Sequence, residues 1–405
     1  MHSLVRYPFA LGVRKTHFRA VTPMYGWGHR RVALADLIAF AWSAPMRDLA
    51  TRMQMSDVGL KKLLRAHGVS GPPQGHWNRV HAGRPVSEPP PAPARRPGEK
   101  PYIHVDGRLV DLPETPLPSS AGPFASAKVP ENLEELRTLA LKAVGRPASA
   151  MKITVPHPAI GKLLAGDEKE REKAEKTRWH TAITLYDSPF EKRRLRILNA
   201  VFLTLGRMGH GGTSDRDGYH TSFYAIIGDT RVSLHLDEAG RKTPTYNRYT
   251  APRPDPKRPA SVSLRLTAGS STWQDDASGK LEVQIADIVA GLIVEGERSY
   301  RMHLRELEEQ AERERIEAER RRQERLRKAN ADRVVALAES GRLLAEAKNL
   351  RSLVARVGEA VMDGRLDISA EQFTEWRQWA DQEADKLDPV VSGQVQAHLL
   401  PPRCD

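Results

Sequence analysis

Five side chains near the front of the chain have the types and spacing to meet a polyanion: Asp57, Val58, Lys61, Lys62 and Arg65. In a helical frame they share the side opposite Leu60, Leu63 and Leu64, so a helix here buries a leucine stripe and turns its cations outward. Such a row suits the major groove of duplex DNA, where residues at the helix N-terminus meet base edges and Lys and Arg meet phosphates. A second cluster gathers metal-ligand types within eleven residues: His210, Asp215, Asp217 and His220. A divalent ion held there would activate water for nucleic-acid cleavage. The same stretch has the Gly, Ser and Asp content of a polar hairpin loop. That loop is the reading adopted, with no metal site, cofactor or catalytic residue assigned. His157, between two prolines, reads as a turn residue, and Asp275-Asp276 beside Trp273 as an exposed turn. The chain has neither a phosphate-cradling glycine loop ending in Lys-Ser/Thr nor a dinucleotide fingerprint after a strand.

Positioning the first cluster takes a helix-turn-helix. Pro45 suits a first helical turn, where its missing N–H costs nothing. Leu49 and the small Ala50 face inward, and Gln54-Met55 fill the turn in place of the more usual Gly. Ser56 is a good N-cap for the second helix. Ala33, Leu34, Leu37, Ile38 and Trp42 give a supporting helix in front, so that 32–67 is helical throughout. Beyond it, Pro72-Pro73 stop the second helix and Trp77 folds back as a lid. Arg47, His76, Arg79 and Arg84 join Ser56, Asp57, Val58 and the three outward cations as the expected DNA-contacting set. A helical hairpin that binds protein instead is the alternative.

The charge distribution agrees. Residues 1–100 carry sixteen Lys or Arg against five acids, a net +11, which leaves only +1 of the chain's +12 for the other 305 residues. That asymmetry points to a polyanion-binding module on a near-neutral body.

The segment 42–83 resembles the N-terminal module of a largely uncharacterised family of bacterial proteins often linked to mobile elements. The resemblance rests on Trp42-Ser43-Ala44-Pro45-Met46, on Ser56-Asp57-Val58 leading into the second helix, and on Pro72-Pro73-Gln74-Gly75-His76-Trp77 followed by Ala82-Gly83. His76 stands where the family pattern has Tyr, and Arg84 where it has Lys. Fainter echoes are Pro156-His157-Pro158, Trp376 with Trp379-Ala380, and Ala384 through Pro389. The resemblance implies a helix-turn-helix DNA-binding protein and brings no catalytic residues.

The rest of the chain reads as a body and an arm. Fourteen of the 29 prolines fall in 72–130, an extended, polyproline-like spacer within which 102–110 forms a short hairpin turning at Asp106-Gly107. Residues 1–31 are left unassigned, and 85–130 is the linker proper. A central domain over 131–295 opens with a helix whose stripe is Leu133, Leu136, Leu139, Leu141 and Val144. It continues with a helix over 189–208 and antiparallel strands over 221–227, 231–236 and 261–266. Between Gly296 and Gly341 there is no Gly or Pro, and Glu309/Arg313, Glu317/Arg321 and Glu324/Lys328 pair at i,i+4, which predicts a long solvated helix over 296–340. Helices follow over 341–405, with Trp376 and Trp379 as core residues.

The expected class is therefore modular α+β: an N-terminal helix-turn-helix, a central α/β domain with an antiparallel sheet, a long charged helix and a helical C-terminal region. The single cysteine, Cys404, excludes a disulfide scaffold and a cysteine-rich zinc module. No apolar run reaches membrane-spanning length, and Arg14, Lys15, His17 and Arg19 interrupt any secretory signal, so a cytoplasmic protein is expected. The expected partner is double-stranded DNA, with a homo-oligomer or protein contact through the C-terminal helices, and the expected role is regulator or accessory factor of a mobile element. The rivals are a metal-dependent nucleic-acid-processing enzyme acting through 210–220 and a scaffold acting through its helical arm.

Overall fold

The computed structural model describes residues 29–177, 184–217, 220–240, 255–277 and 279–401; Cys404 lies outside them. It mixes helix with two antiparallel sheets, the α+β class expected, and divides into two compact units, 1–305 and 306–405.

The first unit has two cores. The front core is built by strand β1 (His29–Val32), helices α1 (Leu34–Ala41), α2 (Met46–Arg52) and α3 (Asp57–Ala66), a short α4 (His76–His81) and strand β2 (Ile103–Asp106). Leu37, Leu49, Met53, Leu60 and Leu64 are fully buried in it. Val32 ends β1 rather than opening a helix. β2 pairs antiparallel with β1, Val32 opposite Ile103 and His29 opposite Asp106, so the expected local hairpin at Asp106-Gly107 does not form. Arg108 closes a turn on Asp106 at 2.7 Å, and Leu109 and Leu112 then enter the front core while Val110 stays in water. An inward leucine is worth more in that core than in a second strand with no sheet to join.

The proline-rich spacer is shorter than the composition suggests. Residues 81–93 are exposed, but from Arg95 the chain is pinned to the central domain. The Arg95 guanidinium reaches the fully buried Glu297 at 2.8 Å, and the Gly98 N–H donates to the same carboxylate at 2.9 Å. Gly98 has φ +71°, and a Cβ there would lie 2.2 Å from the Ile227 carbonyl oxygen, so only glycine lets this strap lie flat.

The central core lies between helices and a five-stranded antiparallel sheet. The helices are α5 (Leu133–Val144), α6 (Pro158–Lys176), α7 (Pro189–Arg207) and the first turns of α8 (Ile285–Met362). The strands run in chain order across the sheet: β3 (Gly211–Asp217), β4 (His220–Ile227), β5 (Thr230–Glu238), β6 (Leu264–Ala268) and β7 (Ser271–Gln274). Phe223 opposes Leu234, Leu236 opposes Leu266, and Leu266 opposes Trp273, which fixes the inward face. α8 crosses closely at Gly296, where a Cβ would stand 2.4 Å from the Ile227 side chain.

Three expectations are corrected here. On α5 the stripe is Leu136, Ala140 and Val144, one residue per turn, while Leu139 and Leu141 face water. His157 caps α6, its Nδ1 accepting the Ala159 N–H at 3.3 Å. Asp275 is no exposed turn: it receives Arg193 at 2.9 Å, and Glu282 takes the same guanidinium at 2.7 Å.

The second unit is helical. α8 begins before residue 296 and runs past 340. Along it Glu309–Arg313 and Glu317–Arg321 pair at 3.4 and 3.3 Å, whereas Glu324 pairs with Arg320 rather than Lys328. Within this unit α9 (Ala370–Leu387) opens with a capping box between Ser369 and Gln372 and is held to α8 by Arg351, which pairs with Asp385 and Asp388. A short α10 (Gln396–Leu399) follows. Trp376 is half-buried on Phe373, but Trp379 is 58% exposed and belongs to no core. Three residues rotate the helix by about 300°, and the buried line follows Ala380 and Ala384 instead. Among the described residues no helix is long and apolar enough to cross a membrane.

Candidate nucleic-acid interface

The front module is a helix-turn-helix with an unusual turn. α2 starts just after Pro45 and buries Leu49 and Ala50. Met53 through Ser56 connect it to α3, with Gln54 in the left-handed region at φ 51°. The Met55 N–H donates to the Ala50 carbonyl at 3.0 Å, which closes the turn. Ser56 caps α3, its Oγ accepting the Gly59 N–H at 3.1 Å. That bond fixes where the helix starts and so which residues face out.

The outward side of α3 carries Val58, Lys62 and Arg65, all exposed. Lys62 and Arg65 have no carboxylate partner among the described residues. Lys61 leans on Asp57 at 3.8 Å, an exposed i,i+4 pair that a phosphate could replace at little cost. Arg47 at the start of α2 is exposed too, as is Arg52 in its last turn, a cation that spacing did not single out. His67, which ends α3, is held below its ordinary pKa by burial.

The segment after α3 departs from expectation at one residue. Arg79 and Arg84 are exposed as required, but His76 is buried. Its ring lies edge-on between Trp42 and Trp77, with centroids 5.5 and 5.0 Å away. His76 therefore packs the lid and does not reach a phosphate; the cause is Trp42, far away in sequence. Trp42 also donates its indole N–H to the Ser70 carbonyl at 2.9 Å, tying the chain beyond α3 to the end of α1. Between that chain and α3 lies an open groove of about 550 Å³, lined by Met46, Lys61, Arg65, Gln74, Gly75 and Trp77 among others. Nothing in the linear spacing announced it.

The second cluster is not assembled. His210 precedes β3 and His220 opens β4, and the register places Gly211 opposite Ile226 but Asp217 opposite His220. Six strand steps, about 20 Å, separate the two ends of this hairpin. The stretch read as a loop is mostly strand, with Gly218 and Tyr219 outside the described residues. His210 is occupied structurally: Nδ1 accepts the Gly228 N–H at 3.3 Å, and burial, helped by Arg96, pushes its pKa down to about 4. Among the described residues no three His, Cys, Asp or Glu side chains stand close enough to share a metal ion.

Comparison with protein-family models, with curated proteins and with solved structures gives no match to this chain.

Proposed function

We propose that this protein binds duplex DNA by laying α3 in the major groove. The observation that carries the reading is the outward face of α3: Val58 near its start, then Lys62 and Arg65 exposed without acidic partners, on a helix whose start is fixed by the Ser56 cap. Val58 and Asp57 would meet base edges; Lys62, Arg65, Lys61 and Arg47 would meet phosphates, with Arg79 and Arg84 extending the track. The net charge of residues 1–100 supports the same partner. Together with the resemblance of segment 42–83 to modules of mobile-element-associated proteins, it favours a regulator or accessory factor acting on DNA in the cytoplasm.

Val58→Asp tests this with little risk to the fold, because the side chain is 58% exposed and an acid in a first helical turn is tolerated. Placed against phosphates it should weaken duplex binding at least roughly tenfold in a mobility-shift titration, the scale of a lost base contact plus a new repulsion. Unchanged affinity, with an unchanged thermal melt, would remove α3 from the interface.

A further inference from the structure

The groove beside α3 is lined by residues of two kinds. Lys61 and Arg65, one helical turn apart on α3, and Met46 at the start of α2 come from the helix pair. Gln74, Gly75 and Trp77 come from the chain beyond it. Trp77 is not free to tumble: the buried His76 ring packs edge-on against it and against Trp42, which is itself hydrogen-bonded to Ser70. The result is a fixed aromatic ring and two cations lining one open cleft. The volume, about 550 Å³, falls inside the ~300–1,000 Å³ range of sites that hold small organic groups.

We infer that this groove takes one unpaired nucleotide of the DNA bound by α3, its base stacked on Trp77 and its phosphate between Lys61 and Arg65. The inference rests on the duplex-binding reading above. Cations alone would suit any phosphate, but an aromatic plane adds a preference for a base face. In a duplex that face is covered by its neighbours, and only a bulged, frayed or overhanging nucleotide offers it. Lys61 and Arg65 border both the groove and the outward side of α3, so a strand tracked along α3 passes the groove's mouth.

The 405-residue chain is titrated against a fully paired duplex, the same duplex with one bulged nucleotide, and the same with a bulged abasic site. 2-Aminopurine serves as the bulged base, because its fluorescence falls when it stacks. The expected result is roughly tenfold tighter binding of the bulged duplex, the size of one base–aromatic stack, with quenching. The abasic bulge should bind like the paired duplex. Trp77→Leu should abolish the preference and the quenching, and Trp77→Phe should keep both, while neither changes affinity for paired DNA. Equal affinity for all three duplexes, or a preference without quenching in the unaltered protein, would overturn the groove assignment and leave duplex binding standing. Failure to bind any of the three would overturn both. The quenching readout needs no variant, so a Trp77→Leu protein that does not fold leaves the test intact.

Discussion

Gln54 sits at φ 51° in the turn before α3, a conformation in which a side chain costs about 1–2 kcal/mol and glycine nothing. Gln54→Gly should therefore stabilise the front module by about 0.5–1 kcal/mol after glycine's extra chain entropy is subtracted. A calorimetric transition that moves up a few degrees would agree; one that moves down would show that the Gln54 side chain makes a contact worth more than the strain. His210 gives a prediction in pH. Its folded pKa, about 4, lies below its ordinary 6.5, so its contribution is complete above pH 6.5 and drains away as pH falls toward 4. The total is at most about 3 kcal/mol. His210→Gln should flatten that part of the stability–pH curve measured by urea unfolding, and a curve of unchanged slope would contradict the burial of a neutral imidazole. The contrast between Ser56 and His76 shows what one residue's neighbours reveal. The cap on α3 is decided within three residues and could be read directly; the burial of His76 is decided by Trp42, thirty-four positions earlier, and could not.

Elements follow the same rule. α3 and α7 were legible because apolar residues recur about once per turn, and Ser56 marks the start of α3. β3 and β7 were not. β3 turns mostly polar side chains to both faces, and its identity as a strand comes from pairing with β4 along its whole length. β7 offers only Trp273 to the core. The N-terminal turns of α8 were ambiguous for the opposite reason: Ile285 through Val294 are apolar nearly all round, so neither period shows. Arg193 is what holds α7 to this far edge of the sheet. It donates to Asp275, Glu282 and the carbonyls of Ala260 and Val262, and its guanidinium keeps the Glu282 carboxyl below the usual range. Arg193→Met would leave two largely buried carboxylates without their counter-charge, at about 3–5 kcal/mol. A loss below about 1 kcal/mol in chemical denaturation would mean the acids find water or another cation.

At the scale of the molecule, the strap from Arg95 to Lys100 ties the chain beyond the front module to the central domain. A free polyproline spacer would let the module search DNA independently of the body. Glu297, fully buried, instead accepts Arg95, the Gly98 N–H and Arg301, so the unbroken exposed run of the spacer ends at 93. Arg95→Ala should speed proteolytic cleavage between 94 and 101 several-fold and lower stability by about 3 kcal/mol, the scale of breaking a buried pair; unchanged cleavage would show that the strap is held without it. Charge asymmetry between front and body was readable from composition alone, whereas the pinning of the strap was not, because Glu297 lies two hundred residues from Arg95. In the proposed function, exposed cations on α2 and α3 neutralise DNA phosphates. The most direct test of that claim is the salt dependence of duplex affinity for the full chain and for Arg47→Ala, Lys62→Ala and Arg65→Ala combined. The slope of log K against log salt should be steep for the unaltered chain and shallower by roughly one for each contact removed. Equal slopes would contradict the claim.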